Sequence, residues 1–237
     1  QDASGRLHMG WFSGSSEGQD GVAIVYAQLN STTAAAPAVW SAADVLSQRK
    51  GYSNQNAVLH AAADTLHAFH SQQGGGAGES KATVWHLSAP LDKEGQTGAF
   101  SMPVEVFSEP GSFDKNRVVP RLDGSWLLPI YEQGVKPNEP RNKFLPKGAD
   151  PDDAKQWTDG KYKDGDNLVQ PSVVRPKPGS PDLVAFFRDR KARNVYSASS
   201  SDDGASWSAS KPTTLLNNNA GAQRASNSQS PDPAPAR

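Results

Sequence analysis

Ser200-Ser201-Asp202-Asp203-Gly204-Ala205-Ser206-Trp207, followed by Ser208, is the stretch on which the reading of this chain turns. Its pattern, Ser-x-Asp-x-Gly-x-Ser-Trp-Ser, has the chemistry of a rigid hairpin turn. Asp202 is placed to accept hydrogen bonds from the turn's own N–H groups, Gly204 to adopt positive φ, and Trp207 to pack on the strands being joined. The stretch follows a strand-like run at 194–196. Similar runs stand at 22–26, 82–85, 104–107, 126–128 and 183–187. Each is short, β-branched or aromatic, and bounded by Gly, Pro, Asn or Asp. The one helical suggestion, 57–69, fits two strands broken at Ala63-Asp64 equally well and is read that way.

Composition agrees with an all-β protein. The 237 residues include 21 Gly, 18 Pro and six Trp, a mixture of turn formers and large apolar anchors. Lys and Arg number 24 against 25 Asp and Glu, a net charge of −1, without the basic excess that nucleic acid or an anionic membrane surface requires. There is no cysteine, which excludes a disulfide framework, a Cys-based zinc site and a thiol nucleophile. Apolar runs such as 22–27 and 183–187 are far too short to span a bilayer. No metal and no cofactor are expected. His60, His67 and His70 have ligand-like spacing, but on a strand His67 and His70 face opposite sides. The glycines at 74–78 lack the Lys and following helix of a phosphate loop and read as a hairpin tip.

Weaker copies of the turn precede it. Asp152…Trp157-Thr158 carries Ala154 at the Gly position. Ser88…Asp92…Gly95…Phe100-Ser101 is stretched and uses Phe for Trp. Trp40-Ser41 keeps only the end. The anchors at 40, 100, 157 and 207 are spaced by 60, 57 and 50 residues, the size of a four-stranded propeller blade. The lysine-, proline- and aspartate-rich stretch 133–166 reads as an exposed insertion carrying the third copy.

The motif at 200–207 resembles the Asp box, or BNR repeat, of the sialidase (neuraminidase) superfamily, and the likeness runs from about residue 7 to residue 223. The segment Gly111-Ser112-Phe113-Asp114-Lys115-Asn116-Arg117, with Leu122-Asp123-Gly124-Ser125-Trp126 after it, is similar to the BNR-repeat-like branch. The resemblance implies an all-β, six-bladed β-propeller of which this chain holds about four blades. Residues 1–223 are then an incomplete propeller, a fragment of something longer. The tail 224–237 has no apolar residue larger than Ala and is expected to be disordered. The competing fold is a β-sandwich with one chance Asp box.

Polar clusters recur after each anchor: Asn54-Gln55-Asn56, 114–117, Asn167 with Gln170, and Asn217-Asn218-Asn219. At matched positions in a propeller they would converge on the axis, where amides and guanidinium groups suit hydroxyl- and carboxylate-rich ligands. The candidate ligand-binding residues are Arg188, Arg117, Lys115, Asn116, Asn56, Gln170 and Asn219, beside the structural Ser200, Asp202, Gly204 and Trp207.

The resemblance implies three arginines on a substrate carboxylate, an Asp acid/base and a Tyr nucleophile assisted by Glu. Asp20 matches the acid's context, ahead of the apolar run 22–26. Glu17 is a second carboxylate in the same loop, and Arg188 matches the second arginine. Gln170 stands where the supporting Glu is expected, and an amide is no base. Both Asp20 and Arg188 have plainer readings, a turn Asp and a surface pair with Asp182 or Asp189. Tyr131-Glu132 has a nucleophile pair's chemistry at the wrong place for the family. The expected activity is sialidase-like hydrolysis of glycans or glycoconjugates, an exo-sialidase type of glycoside hydrolase. The alternatives are a non-catalytic glycan-binding propeller, a related glycosidase or polysaccharide lyase, or a protein-binding propeller. The sequence assigns no compartment, and a secreted or extracellular one is the reading to test.

Overall fold

The computed structural model describes residues 1–30, 38–76, 78–134 and 138–217. Asn219 and the 224–237 tail therefore lie outside the described residues. The strands form four antiparallel sheets. The first has β1 (His8–Ser13), β2 (Ala23–Gln28) and β3 (Asp44–Ser47), in that order. The second runs β4 (Tyr52–Ala62), β5 (Thr65–Gly74), β6 (Thr83–Pro90) and β7 (Val104–Phe107). In the third, β8 (Ser112–Asp114) and β9 (Val119–Pro120) share the same edge of β10 (Trp126–Glu132), followed by β11 (Glu139–Leu145) and β12 (Thr158–Lys161). The fourth runs β13 (Leu168–Val174), β14 (Leu183–Asp189), β15 (Asn194–Ser200) and β16 (Lys211–Leu216).

The chain is all-β with the strand-like runs where the sequence places them. The 57–69 segment is strand, turn, strand, with Ala63 at φ 50° in the turn. One expectation is corrected: 133–166 is no exposed insertion. It supplies β11 and β12, and Asn142, Leu145, Trp157 and Tyr162 from it are buried. Its charged residues alternate with these inward ones, so composition alone hides the strands.

The sheets stack by one rule. The first strand of each later sheet packs on two neighbouring strands of the sheet before it: β13 on β10 and β11, β8 on β5 and β6, β4 on β1 and β2. β1 and β2 thus stand to β4 as β5 and β6 stand to β8. The cores lie between sheets. Val58, Phe69, Phe107, Leu128 and Trp157 join the second to the third. Leu127, Leu168, Leu183, Phe187 and Trp207 join the third to the fourth.

The Asp box is a closed turn. Ser200 Oγ donates to Asp202 Oδ1 at 2.7 Å, Gly204 N–H donates to Ser200 Oγ at 2.9 Å, and Ser206 N–H donates to Asp202 Oδ1 at 2.8 Å. The Ser206 hydroxyl, 2.5 Å from Oδ2, together with the Ser206 N–H and the Ser200 hydroxyl, holds the Asp202 carboxylate down to a pKa of about 2. Gly204 has φ 85°, and a Cβ there would lie 2.6 Å from Leu127 Cδ1, so only glycine fits. Trp207 donates its indole N–H to Gly204 O at 3.1 Å, and Trp157 does the same to Pro151 O at 3.0 Å. The Ser after the anchor bonds back to the last strand but one in three sheets. Ser208 pairs with Ser199, Ser101 with Ser88 and Ser41 with Gln28, each through both backbone and hydroxyl.

His67 and His70 do face opposite sides of β5. His67 stacks on His86, whose Nδ1 meets Asp152 Oδ1 at 2.7 Å. Thus the Asp of the degenerate third box is diverted to the second sheet. Among the described residues no group of three or more His, Cys, Asp or Glu could hold a metal.

Candidate functional site

The connections from second to third strand and the lead-ins to the first strands meet at one end of the stack, the mouth. The same backbone bond recurs there. Gly75 N–H donates to Gly51 O at 2.8 Å, Gln133 N–H to Gly111 O at 2.8 Å, and Arg190 N–H to Asn167 O at 3.0 Å. The loop between β5 and β6 ties the ends together. Gly76 N–H donates to Gly18 O at 3.1 Å in the first sheet's loop, and Glu79 Oε2 lies 4.0 Å from Arg190 Nη1 in the fourth sheet's loop.

Each complete first strand is interrupted at the same level. β4 has a bulge between Gln55 and Val58, with Asn56 at φ 58°. β13 has one between Val169 and Ser172, with Gln170 at φ 55°. In the third sheet the gap between β8 and β9 carries Lys115, Asn116 and Arg117. A bulge re-aims side chains, and left-handed backbone at a residue with a Cβ costs roughly 1–2 kcal/mol. Asn56, Gln170 and the 115–117 run therefore stand at matched interruptions of three first strands. Asn56 and Gln170 are half-buried, and Lys115 and Arg117 are exposed. Asn116 ties the third sheet to the fourth, with Nδ2 donating to Pro171 O at 2.8 Å and Gln170 O at 3.3 Å. Asn217 returns to the mouth, where its Nδ2 donates to Asp189 O at 2.8 Å.

Asp20 and Glu17 lie exposed in the β1–β2 loop. Asp20 Oδ1 accepts Gly51 N–H at 2.6 Å. Arg188 stands on β14 opposite Val169. Its Nε is buried without a partner, and it forms no ion pair among the described residues. The plainer reading of Arg188, a pair with Asp182 or Asp189, is not what the structure has. Asp189 is taken by Arg193 at 2.7 Å and Asp182 by Ser180 at 2.8 Å.

Three features escaped sequence reasoning. Asp114 is fully buried on β8, with Ser71 Oγ 2.5 Å from its Oδ1 and no partner for Oδ2; burial pushes its pKa up to about 8. Tyr131 is buried with its hydroxyl beside the Gln170 and Gln133 amides, and burial pushes its pKa up. Glu132, on the opposite face of β10, is held by Arg141 at 2.6 Å, so Tyr131-Glu132 is not a nucleophile pair. Finally, a cavity of about 760 Å³ at the mouth is lined by Glu79 and Arg190 among others. The signal for these two was their place in the same kind of loop as Asp20. A second cavity, of about 750 Å³, lies on the flank between the first two sheets, beside Phe100 and Trp85, and its lining includes none of the predicted site residues.

A family model for a BNR repeat-like domain matches residues 5–230. No curated protein matches the chain. Among solved structures, a Hadza microbial sialidase is 14% identical with a TM-score of 0.64, over 90% of this chain and 45% of its own. A Trypanosoma rangeli sialidase is 11% identical with a TM-score of 0.65, over 86% and 36%. The intramolecular trans-sialidase from Ruminococcus gnavus is 11% identical with a TM-score of 0.63, over 90% and 69%. The chain thus spans less than half the length of the first two. At these identities the likeness is one of fold. Among the described residues no helix is long and apolar enough to cross a membrane.

Proposed function

The chain belongs to the BNR repeat-like domain family, and on that premise we propose that it is a glycan-active, sialidase-like protein working at the mouth of its sheets, as part of a six-bladed propeller. One observation carries this reading: the β5–β6 loop contacts the Asp20 loop at Gly18 and the fourth sheet's loop at Arg190. Groups 170 residues apart in sequence thereby share one surface. Arg188, which makes no ion pair among the described residues, holds the carboxylate of an acidic sugar. Asn56, Gln170, Lys115 and Arg117 meet its hydroxyls. Asp20 transfers the proton to the departing sugar oxygen, with Glu17 as the second carboxylate of the pair that glycoside cleavage uses.

The test is turnover of a fluorogenic sialoside and of uronic-acid glycans by the chain and by Asp20→Asn. Loss of a general acid is expected to cost about 10²–10⁴-fold. Equal rates in the two proteins would remove Asp20 from the mechanism. A second reading, glycan binding without turnover, is favoured by Gln170 in place of a carboxylate and by Tyr131, buried with the Gln170 and Gln133 amides at its hydroxyl. Binding of sialylated glycans with no hydrolysis selects it; neither binding nor turnover defeats both.

A further inference from the structure

We propose that the flank cavity between the first two sheets is a docking groove for an extended peptide segment of a partner protein, added as a lone strand along β3 with apolar side chains on the floor. The cavity measures about 750 Å³, within the range of roughly 300–1,000 Å³ typical of ligand sites. One wall is the run 44–49 and the other the run 97–103. Side chains alternate between the two faces of a strand. A cavity lined by every residue from 44 to 49 therefore lies along the strand's edge, not over one face. β3 is the last strand of its sheet, with β2 on one side and no strand on the other among the described residues. Such an edge offers unpaired N–H and C=O groups to a further strand. Across the groove, the N–H groups of Ala99, Phe100 and Met102 donate to no backbone carbonyl among the described residues.

The floor selects apolar side chains, because its polar groups already have partners. Tyr26 Oη meets His8 Nδ1 at 2.8 Å, Trp85 donates its indole N–H to Thr83 Oγ1 at 2.9 Å, and Gln72 Nε2 donates to Asn54 Oδ1 at 2.8 Å. A hydroxyl-rich ligand would lose water there without gaining bonds. An aliphatic or aromatic side chain meets Leu46, Phe100 and Pro103 at no such cost. Val45 and Met102, one on each wall, are 58% and 83% exposed although both flanking sheets are in place. Charge sets the ends. Asp44 and Arg49 are exposed, stand at opposite ends of one wall, and make no ion pair among the described residues. Antiparallel addition, the more stable pairing, sets the ligand's first residue beside Arg49 and its last beside Asp44. The matching segment begins with an acidic residue, alternates polar with apolar ones, and ends with a basic one. β3 of a second copy carries the same charge order, but its other edge is taken by its own β2. It cannot lie between two backbone walls, whereas a free segment can.

Fluorescence anisotropy of a labelled peptide, Glu-Thr-Leu-Thr-Phe-Thr-Lys with both ends capped, titrated with the chain tests this. Saturable binding tighter than about 1 mM is expected. The same peptide N-methylated at its threonines, and so unable to donate from those positions, should bind at least about tenfold more weakly. Met102→Glu, a change at an exposed position, should weaken binding about tenfold. The chain carrying Asp44→Lys with Arg49→Glu should prefer, by about threefold or more, the peptide with its end charges exchanged. Melting curves confirm that the variants fold. No saturable binding, equal binding of the N-methylated peptide, or an unaltered preference in either variant chain would overturn the groove. A wild-type dimer in sedimentation that Met102→Glu disperses would overturn it too, because a second copy then fills the site. None of these readouts depends on turnover at the mouth, so the glycan reading is judged separately.

Discussion

Asp114 and the buried histidines titrate in opposite senses, and together they set a stability optimum. Asp114, buried against Ser71 with one oxygen unpartnered, is raised from 3.8 to about 8. The fold keeps a proton that the unfolded chain releases, so its contribution is full below pH 3.8 and lost as pH rises through 8. His60, His67 and His70 are lowered from 6.5 to about 4, 3 and 4 by burial. Their contribution is present above pH 6.5 and lost as pH falls. Between pH 4 and 6.5 three imidazoles outweigh one carboxyl; above 6.5 Asp114 acts alone. The melting temperature should therefore peak near pH 6.5, with slopes of up to about 1.4 kcal/mol per pH unit per group. Asp114→Asn should flatten the fall between pH 6.5 and 8 and steepen the acid limb between pH 4 and 6.5, where the imidazoles would act unopposed by it. A wild-type profile level across that interval would mean that Asp114 ionises as an ordinary carboxylate.

At the scale of elements, each box is a plug between its own sheet and the one before. Phe100 meets Tyr26 of the first sheet at 5.3 Å, edge to face, and Trp157 meets Phe107 of the second at 5.2 Å. Trp207 sits in the core between the third and fourth sheets. Trp40, in the first sheet, is 39% exposed, whereas Trp207 is 5% exposed. Trp207→Ala should cost about 3–5 kcal/mol of unfolding free energy, and Trp40→Ala less than about 1 kcal/mol, as read by denaturant titration. Asp202→Ala, which removes the acceptors of the turn, should cost about 1–3 kcal/mol. Similar losses for Trp40 and Trp207 would contradict the plug. The next residue of the box, Asp203, adds a tie of its own. It is buried, it pairs with Arg175, and its carbonyl accepts Arg121 Nε–H at 2.8 Å, fastening the turn to the third sheet.

Over the whole molecule, apolar side chains remain uncovered on the outermost sheets. Met9, Phe12 and Val45 of the first are 44%, 38% and 58% exposed, and Val174 and Phe186 of the fourth are 43% and 38%. Contiguous exposed apolar surface drives association. The chain alone is expected to self-associate in light scattering, and Phe186→Ser with Val174→Thr to reduce this, with each change costing less than about 1 kcal/mol. A monodisperse wild-type chain with cooperative unfolding would contradict the expectation.

How much was legible follows from which interactions are local. The Asp box, the strand–turn–strand at 57–69 and the repeat of anchors were readable because a turn's hydrogen bonds and a strand's alternation lie within a few residues of each other. The matched placing of Asn56, the 114–117 cluster and Gln170 was readable for the same reason, since the offset from each anchor is counted along the chain. The sequence by itself thus determined an all-β repeat with Asp202, Gly204 and Trp207 as its signature. Only the tertiary structure decided that the 133–166 stretch supplies strands β11 and β12, because burial of a side chain such as Leu145 depends on neighbours from another sheet. It alone separated Arg188 from Asp182 and Asp189, raised Asp114 as a neutral acid, and joined Glu79 to Arg190 at the mouth. Desolvation and pairing depend on distance in space, and these groups meet through contacts between different sheets and loops.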